Sequence, residues 1–235
     1  MDVNDILDRL RALANPDDLA GLVRGGINPE HALGVRVPKL RTLAKEIGKD
    51  HTLALALWDS GCHEARLLAT MIDDYRQLTD GQMERWAAEF DSWDVVDQCV
   101  MNLFERAGED AVVKALAWSH REEEFVKRAG FVMMARMAVG KKKWVTDETF
   151  EQFWPRIIAE AADERNFVKK AVNWALRQPG KMNLALNARA IEVAEQVLAL
   201  DSPTAHWIAS DALRELRSEA VLARLRERAN EQKSS

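Results

Sequence analysis

Trp93, Asp94 and Asp97 fall within about one helical turn, in the stretch Phe90-Asp-Ser-Trp-Asp-Val-Val-Asp-Gln-Cys99. Trp93 and Asp97 stand four apart, so a helix places them on one face. The indole offers a flat stacking surface. The carboxylate offers a negative charge that can face a developing positive one. Such a pair is an odd thing to build into an otherwise ordinary amphipathic helix. Spacing alone leaves two readings open, chemistry and packing.

Few other chemistries find their residues here. There is no phosphate-binding loop, no zinc spacing and no nucleophile elbow, and Leu33-Gly-Val35 holds a lone glycine without a phosphate-loop context. His31, His51, His63, His120 and His206 are scattered, with His63 and His120 at helix starts, and read as non-catalytic. Cys62 and Cys99 show neither metal spacing nor a disulfide framework and read as small buried hydrophobes in a reducing cytosol. Neither a metal nor a cofactor is expected.

The elements that must position Trp93 and Asp97 read as helices throughout, with no convincing alternating strand. Low glycine and proline counts, 11 and 6 in 235 residues, agree with this. Asn4 to Leu13 is a short amphipathic helix with Asn4 as a plausible N-cap; Asp17 to Val23 is another. Val37-Pro38-Lys39 opens a helix that stops at Ile47-Gly48. Further helices are predicted near 52–59, 63–73, 80–90, 94–106, 109–119, 122–138, 147–161, 164–178, 184–199, 204–216 and 218–230. The connections are short, so neighbours should pack antiparallel.

A degenerate repeat runs through His63-Glu-Ala-Arg-Leu-Leu68, Phe125-Val-Lys-Arg-Ala-Gly130, Phe167-Val-Lys-Lys-Ala-Val172 and Ile208-Ala-Ser-Asp-Ala-Leu213. It places Arg66, Arg128, Lys170 and Asp211 in register, and Asp97 falls midway between the first two. The spacings suit two-helix solenoid repeats. The fold class expected is therefore all-α, a HEAT-like α-solenoid of antiparallel helix pairs forming a concave surface. One domain is expected over 1–235, with 228–235 a frayed tail. Arg66, Asp97, Arg128 and Lys170 would line the concave surface as a row.

Net charge is −5, which argues weakly against a nucleic-acid binder. From Arg121 to Lys181, however, 13 Lys and Arg stand against 9 Asp and Glu, a local excess compatible with phosphate binding. By default Lys127-Arg128, Lys169-Lys170 and Lys141-Lys-Lys143 are solvated, and Asp97 pairs with Arg66 or Arg128 for roughly 0–1 kcal/mol. Of eight tryptophans, Trp58, Trp86, Trp118, Trp154 and Trp207 fall on apolar helix faces and are expected in the core. Trp93 and Trp174 differ, having polar neighbours on the face expected to be concave. No apolar run is long enough to span a membrane, and the start lacks a signal-peptide pattern. A cytoplasmic monomer is expected.

Trp93-Asp-Val-Val-Asp97, Phe125-Val-Lys-Arg-Ala129 and Phe167-Val-Lys-Lys-Ala-Val-Asn-Trp-Ala-Leu-Arg177 together resemble the DNA alkylation repair family, the AlkD-type HEAT-like DNA glycosylases. Leu33-Gly-Val-Arg-Val-Pro-Lys-Leu-Arg41 resembles that family's N-terminal helix, and the similarity spans roughly residues 20 to 215. The resemblance implies excision of cationic alkylpurines such as 3-methyladenine and 7-methylguanine from double-stranded DNA, without base flipping. It puts Asp97 in the place of the catalytic carboxylate, Trp93 and Trp174 in the places of two aromatic walls, and Arg128 in that of a DNA-contacting arginine. With the basic row, the expected DNA-binding set is Arg66, Lys127, Arg128 and Lys170. Ser92 departs from the pattern, standing where the type member has a further tryptophan. Two alternatives follow: a non-catalytic HEAT-like module that binds branched or damaged DNA, and a protein-interaction solenoid.

Overall fold

A computed structural model describes residues 2–140 and 142–233, and every regular element among them is helical. The chain packs as two compact units, Met1–Ala107 and Gly108–Ser235.

The first unit holds α1 (Val3–Ala12), α2 (Pro16–Arg24), α3 (Val37–Ile47), α4 (His51–Asp59), α5 (His63–Ile72), α6 (Asp80–Ala88) and α7 (Trp93–Asn102). Local signals explain most starts. Asn15, Asp50 and Thr79 accept hydrogen bonds from first-turn backbone N–H groups of α2, α4 and α6. For α1 the cap is Asp2, not Asn4: Asp2 and Asp5 bond each other's backbone N–H reciprocally.

The repeat is visible as a ladder of polar contacts with one sequence offset. Trp58 Nε1 donates to Glu89, His63 pairs with Asp94, and Leu33 N–H donates to Glu64, each pair 31 residues apart. At the far end of α7, Asn102 donates to Thr70 Oγ1 at an offset of 32. His63 meets Asp94 and Thr70 meets Asn102, so α5 and α7 run parallel. Arg66 and Asp97, also 31 apart, therefore hold equivalent places on the two helices.

The second unit holds α8 (Asp110–Trp118), α9 (Glu124–Met137), α10 (Asp147–Glu151), α11 (Trp154–Ala159), α12 (Asn166–Arg177), α13 (Leu184–Leu198), α14 (Pro203–Leu216) and α15 (Glu219–Lys233). The single helix expected over 147–161 is broken into α10 and α11. Pro155 lacks an N–H, and its ring would clash with the carbonyl of Glu151 if the helix continued. The tail expected from 228 is helical as far as Lys233; Ser234 and Ser235 lie outside the described residues.

Here too the contacts form a ladder. Asn173 donates to Asp211 and Arg177 donates to Glu215, both at an offset of 38. Lys169 Nζ lies over the Trp207 ring, 5.1 Å from its centroid. These pairs make α12 and α14 parallel, and they bring Asp211 against Asn173 and Arg177 of α12.

The core follows the tryptophans, with one exception. Trp58, Trp86, Trp118 and Trp154 are buried, and Trp58 and Trp86 stack with centroids 4.0 Å apart. Trp207 is 44% exposed, contrary to expectation. Ala205, Ile208, Ala209 and Ala212 carry the buried face of α14, and Trp207 lies outside that stripe. One glycine is sterically required within the core of the second unit. A Cβ on Gly130 would come within 2.6 Å of Ser119 N and 2.8 Å of Ala115 O, so α9 passes backbone to backbone over the end of α8.

Candidate functional site

In the first unit, Trp93 opens α7 and Asp97 follows one turn later; both are half-buried. The Trp93 indole N–H donates to the carbonyl of Gly25, just past α2, at 2.9 Å. That bond fixes the ring's rotamer. Ser92 occupies the N-cap position, but its hydroxyl does not cap the helix. Its Oγ is buried with no hydrogen-bond partner. Asp94 supplies the missing order. One of its oxygens accepts from Val95 N–H at 2.9 Å, and the other lies 3.0 Å from His63 Nε2.

The His63–Asp94 pair is buried, at 5% and 12% side-chain exposure. Burial alone would lower the imidazole pKa. The hydrogen bond and charge of Asp94, with the charges of Glu64 and Asp91, outweigh it and hold His63 above its ordinary value. Beside it, Glu64 is fully buried and accepts from the backbone N–H groups of Leu33, Gly34 and Val35 at 2.7–3.1 Å. The turn it holds needs a glycine: Gly34 has φ +78°, and a Cβ there would meet Asn15 O at 2.2 Å. The thiol of Cys99 is pushed well up by burial, which makes it inert.

Arg66 lies on α5, packed against α7, but its guanidinium is engaged. It donates to the Glu89 carboxylate at 3.0 Å and to the Glu89 carbonyl at 3.2 Å, lies 3.7 Å from Asp91, and rests 5.2 Å over the Trp58 ring.

In the second unit, α9 carries Lys127 and Arg128, and α12, packed against it, carries Lys170 and Trp174. Lys127 and Arg128 are each only 6% exposed, not solvated as their charge suggested. Lys127 Nζ lies 2.7 Å from Glu160 and 3.5 Å from Asp163. Burial would raise the Asp163 carboxyl, but Arg165 and Lys127 hold it below its ordinary value. Arg128 Nη1 donates to the Phe167 carbonyl at 2.8 Å, which ties α9 to the start of α12. Lys170 is exposed and Trp174 half-buried. Lys142 bonds the carbonyls of Arg136 and Val139, and Lys141 lies outside the described residues.

The sequence fits the model of the DNA alkylation repair enzyme family over residues 6–227. The chain belongs to that family. Among solved structures, one is described as "a new family of proteins related to the HEAT-like repeat DNA glycosylases with affinity for branched DNA structures". It superposes with a TM-score of 0.76 at 18% identity, covering 92% of this chain and 95% of that one. At this identity the likeness establishes the fold, HEAT-like helical repeats. No curated protein matches the chain.

In this DNA alkylation repair family member, sequence reasoning noted Asp94 for its spacing and set His63 aside as non-catalytic, but gave neither a partner and gave Glu64 no role. The signal for Glu64 was a charge set into α5, whose other residues are largely apolar. The signal for His63 was its offset of 31 from an aspartate, readable only once the repeat length was known. Among the described residues no group of three His, Cys, Asp or Glu side chains could hold a metal, and no helix is long and apolar enough to cross a membrane.

Proposed function

We propose that this DNA alkylation repair family member is a glycosylase. It hydrolyses the N-glycosidic bond of cationic alkylpurines, of the 3-methyladenine and 7-methylguanine type, in duplex DNA and without flipping the base. The observation that supports this most is the first turn of α7, where Trp93 is locked by Gly25 and Asp97 follows on the same face. An N3- or N7-alkylated purine carries a positive charge and leaves readily. As the C1′–N bond breaks, its electron pair neutralises the base and the positive charge passes to the sugar. Asp97 stabilises that oxocarbenium-like cation and orients the water, whose oxygen bonds to C1′ as its proton is released. A carboxylate about 4 Å from a unit charge contributes about 4 kcal/mol at an effective dielectric near 20. That is roughly a thousandfold in rate.

In this reading Trp93 presses on the deoxyribose and adds attraction between ring and cation, and Trp174, in the second unit, offers a further aromatic surface to DNA. Lys170 meets phosphates without reading sequence. Arg66, Lys127 and Arg128 complete the basic set, and their internal partners make them organisers of the helices as much as donors to DNA. The protein acts as a monomer, with no metal or cofactor. The test is release of free base from methylated duplex DNA. Asp97→Asn should lower release about a thousandfold while DNA affinity and thermal stability stay put. Equal release by both proteins would remove Asp97 from the mechanism.

A second reading is favoured by Ser92, whose buried, unpartnered hydroxyl stands where an additional tryptophan would stack. In it the protein binds branched or damaged DNA by shape, as the structural relative's description says of that protein. Salt-dependent binding to a four-way junction, with no base released from any alkylated duplex, would select it.

A further inference from the structure

We infer that His63 is a positioning residue: through Asp94 it sets the first turn of α7, and so the places of Trp93 and Asp97. The inference rests on the glycosylase reading for its catalytic consequence but not for its structural content. Four observations carry it. His63 opens α5 and reaches Asp94 in the parallel helix α7, 3.0 Å away and out of solvent. Ser92, the residue placed to cap α7, makes no cap bond. Asp94 lies between Trp93 and Asp97, so holding one carboxylate holds the turn that bears both. Val95, Val96, Cys99 and Val100, which pack the middle of α7, are apolar and fully buried, and the further polar tie from α7 to α5, Asn102 to Thr70, lies at the far end of the helix. Apolar packing is non-directional and does not by itself stop one helix sliding along another. A buried hydrogen bond between ionisable groups is directional, and its loss is felt. The groups acting on His63 are Asp94 and Asp91 from around α7 and Glu64 from its own helix, all acidic. They favour the imidazolium, the form that binds Asp94 most strongly.

The consequence is measurable because small displacements are catalytically large. A misplacement of about 1 Å can cost on the order of a hundredfold. Single-turnover base release with enzyme in excess should fall about 10–100-fold in His63→Ala, with duplex affinity within about twofold of wild type. His63→Gln, which can still donate to Asp94, should recover most of the rate. Wild-type turnover should decline as pH rises through the titration of His63, and His63→Gln should lack that step. Hydrogen exchange on the protein without DNA gives a readout independent of activity. In His63→Ala the amides of 95–97 should exchange faster, while those of α12 should not change.

Wild-type rates in His63→Ala, or no recovery in His63→Gln, would overturn the catalytic part. Unchanged exchange at 95–97 would overturn the positioning itself. If wild type releases no base but exchange at 95–97 rises as expected, the glycosylase reading fails and the positioning of α7 by His63 stands.

Discussion

The two units solve one problem with different mixtures of buried and half-exposed ties. Each must keep parallel helices of successive repeats in register. The first unit does so with buried polar groups: Glu64 beneath the turn at Leu33–Val35, and His63 against Asp94. The second also has a buried tie, Arg128 to the Phe167 carbonyl between α9 and α12, but its ladder from α12 to α14 reaches solvent, with buried Asn173 on Asp211 followed by half-exposed Arg177–Glu215 and Lys181–Glu215 pairs. Buried polar groups are costly to orphan, because no water replaces the lost partner. Half-exposed ion pairs are cheap to lose. The first unit should therefore tolerate little change at its ties, and it is the unit carrying Trp93 and Asp97.

This contrast can be broken by experiment. The largest effect should come from Glu64→Ala, which strips three backbone N–H groups of their acceptor. It should destabilise the protein by about 3 kcal/mol or more, read from the urea midpoint. Glu64→Gln keeps one acceptor oxygen and should lose about half as much. Next comes Arg177→Ala in the second unit, with an expected cost of about 0–1 kcal/mol that shrinks as salt is added. An Arg177→Ala cost equal to that of Glu64→Ala would erase the distinction between buried and half-exposed ties. The smallest effect should come from Lys169→Met, which removes the cation above exposed Trp207. It should cost no more than about 1 kcal/mol in a thermal melt.

Much of the scaffold was legible in the sequence because its signals are local. Caps, prolines and glycine stops placed nearly every helix. The break at Gln152–Phe153 was missed because the apolar pattern of 147–161 is continuous and only Pro155 contradicts it. The burial of Lys127 and Arg128 was missed because charge argues for solvent. Their partners, Glu160, Asp163 and the Phe167 carbonyl, lie more than thirty residues away. Yet Val126 and the run from Ala129 to Ala135 surround them, and a helix apolar on nearly every side has no wet face to offer. Trp93 and Asp97 could be chosen from sequence by type and spacing. The ties that order their turn, from Gly25 and His63, could not, since each bridges a loop whose path only the fold reveals.

The stacked indoles of Trp58 and Trp86 have a use beyond packing. With centroids 4.0 Å apart and planes 3° from parallel, the two π systems couple as chromophores. Rings stacked this closely are expected to give a near-ultraviolet circular dichroism signal that separated indoles lack. Both rings belong to the first unit, so this optical signature vanishes when that unit opens. The chain thus carries a built-in gauge by which the melting of Met1–Ala107 can be followed apart from that of Gly108–Ser235.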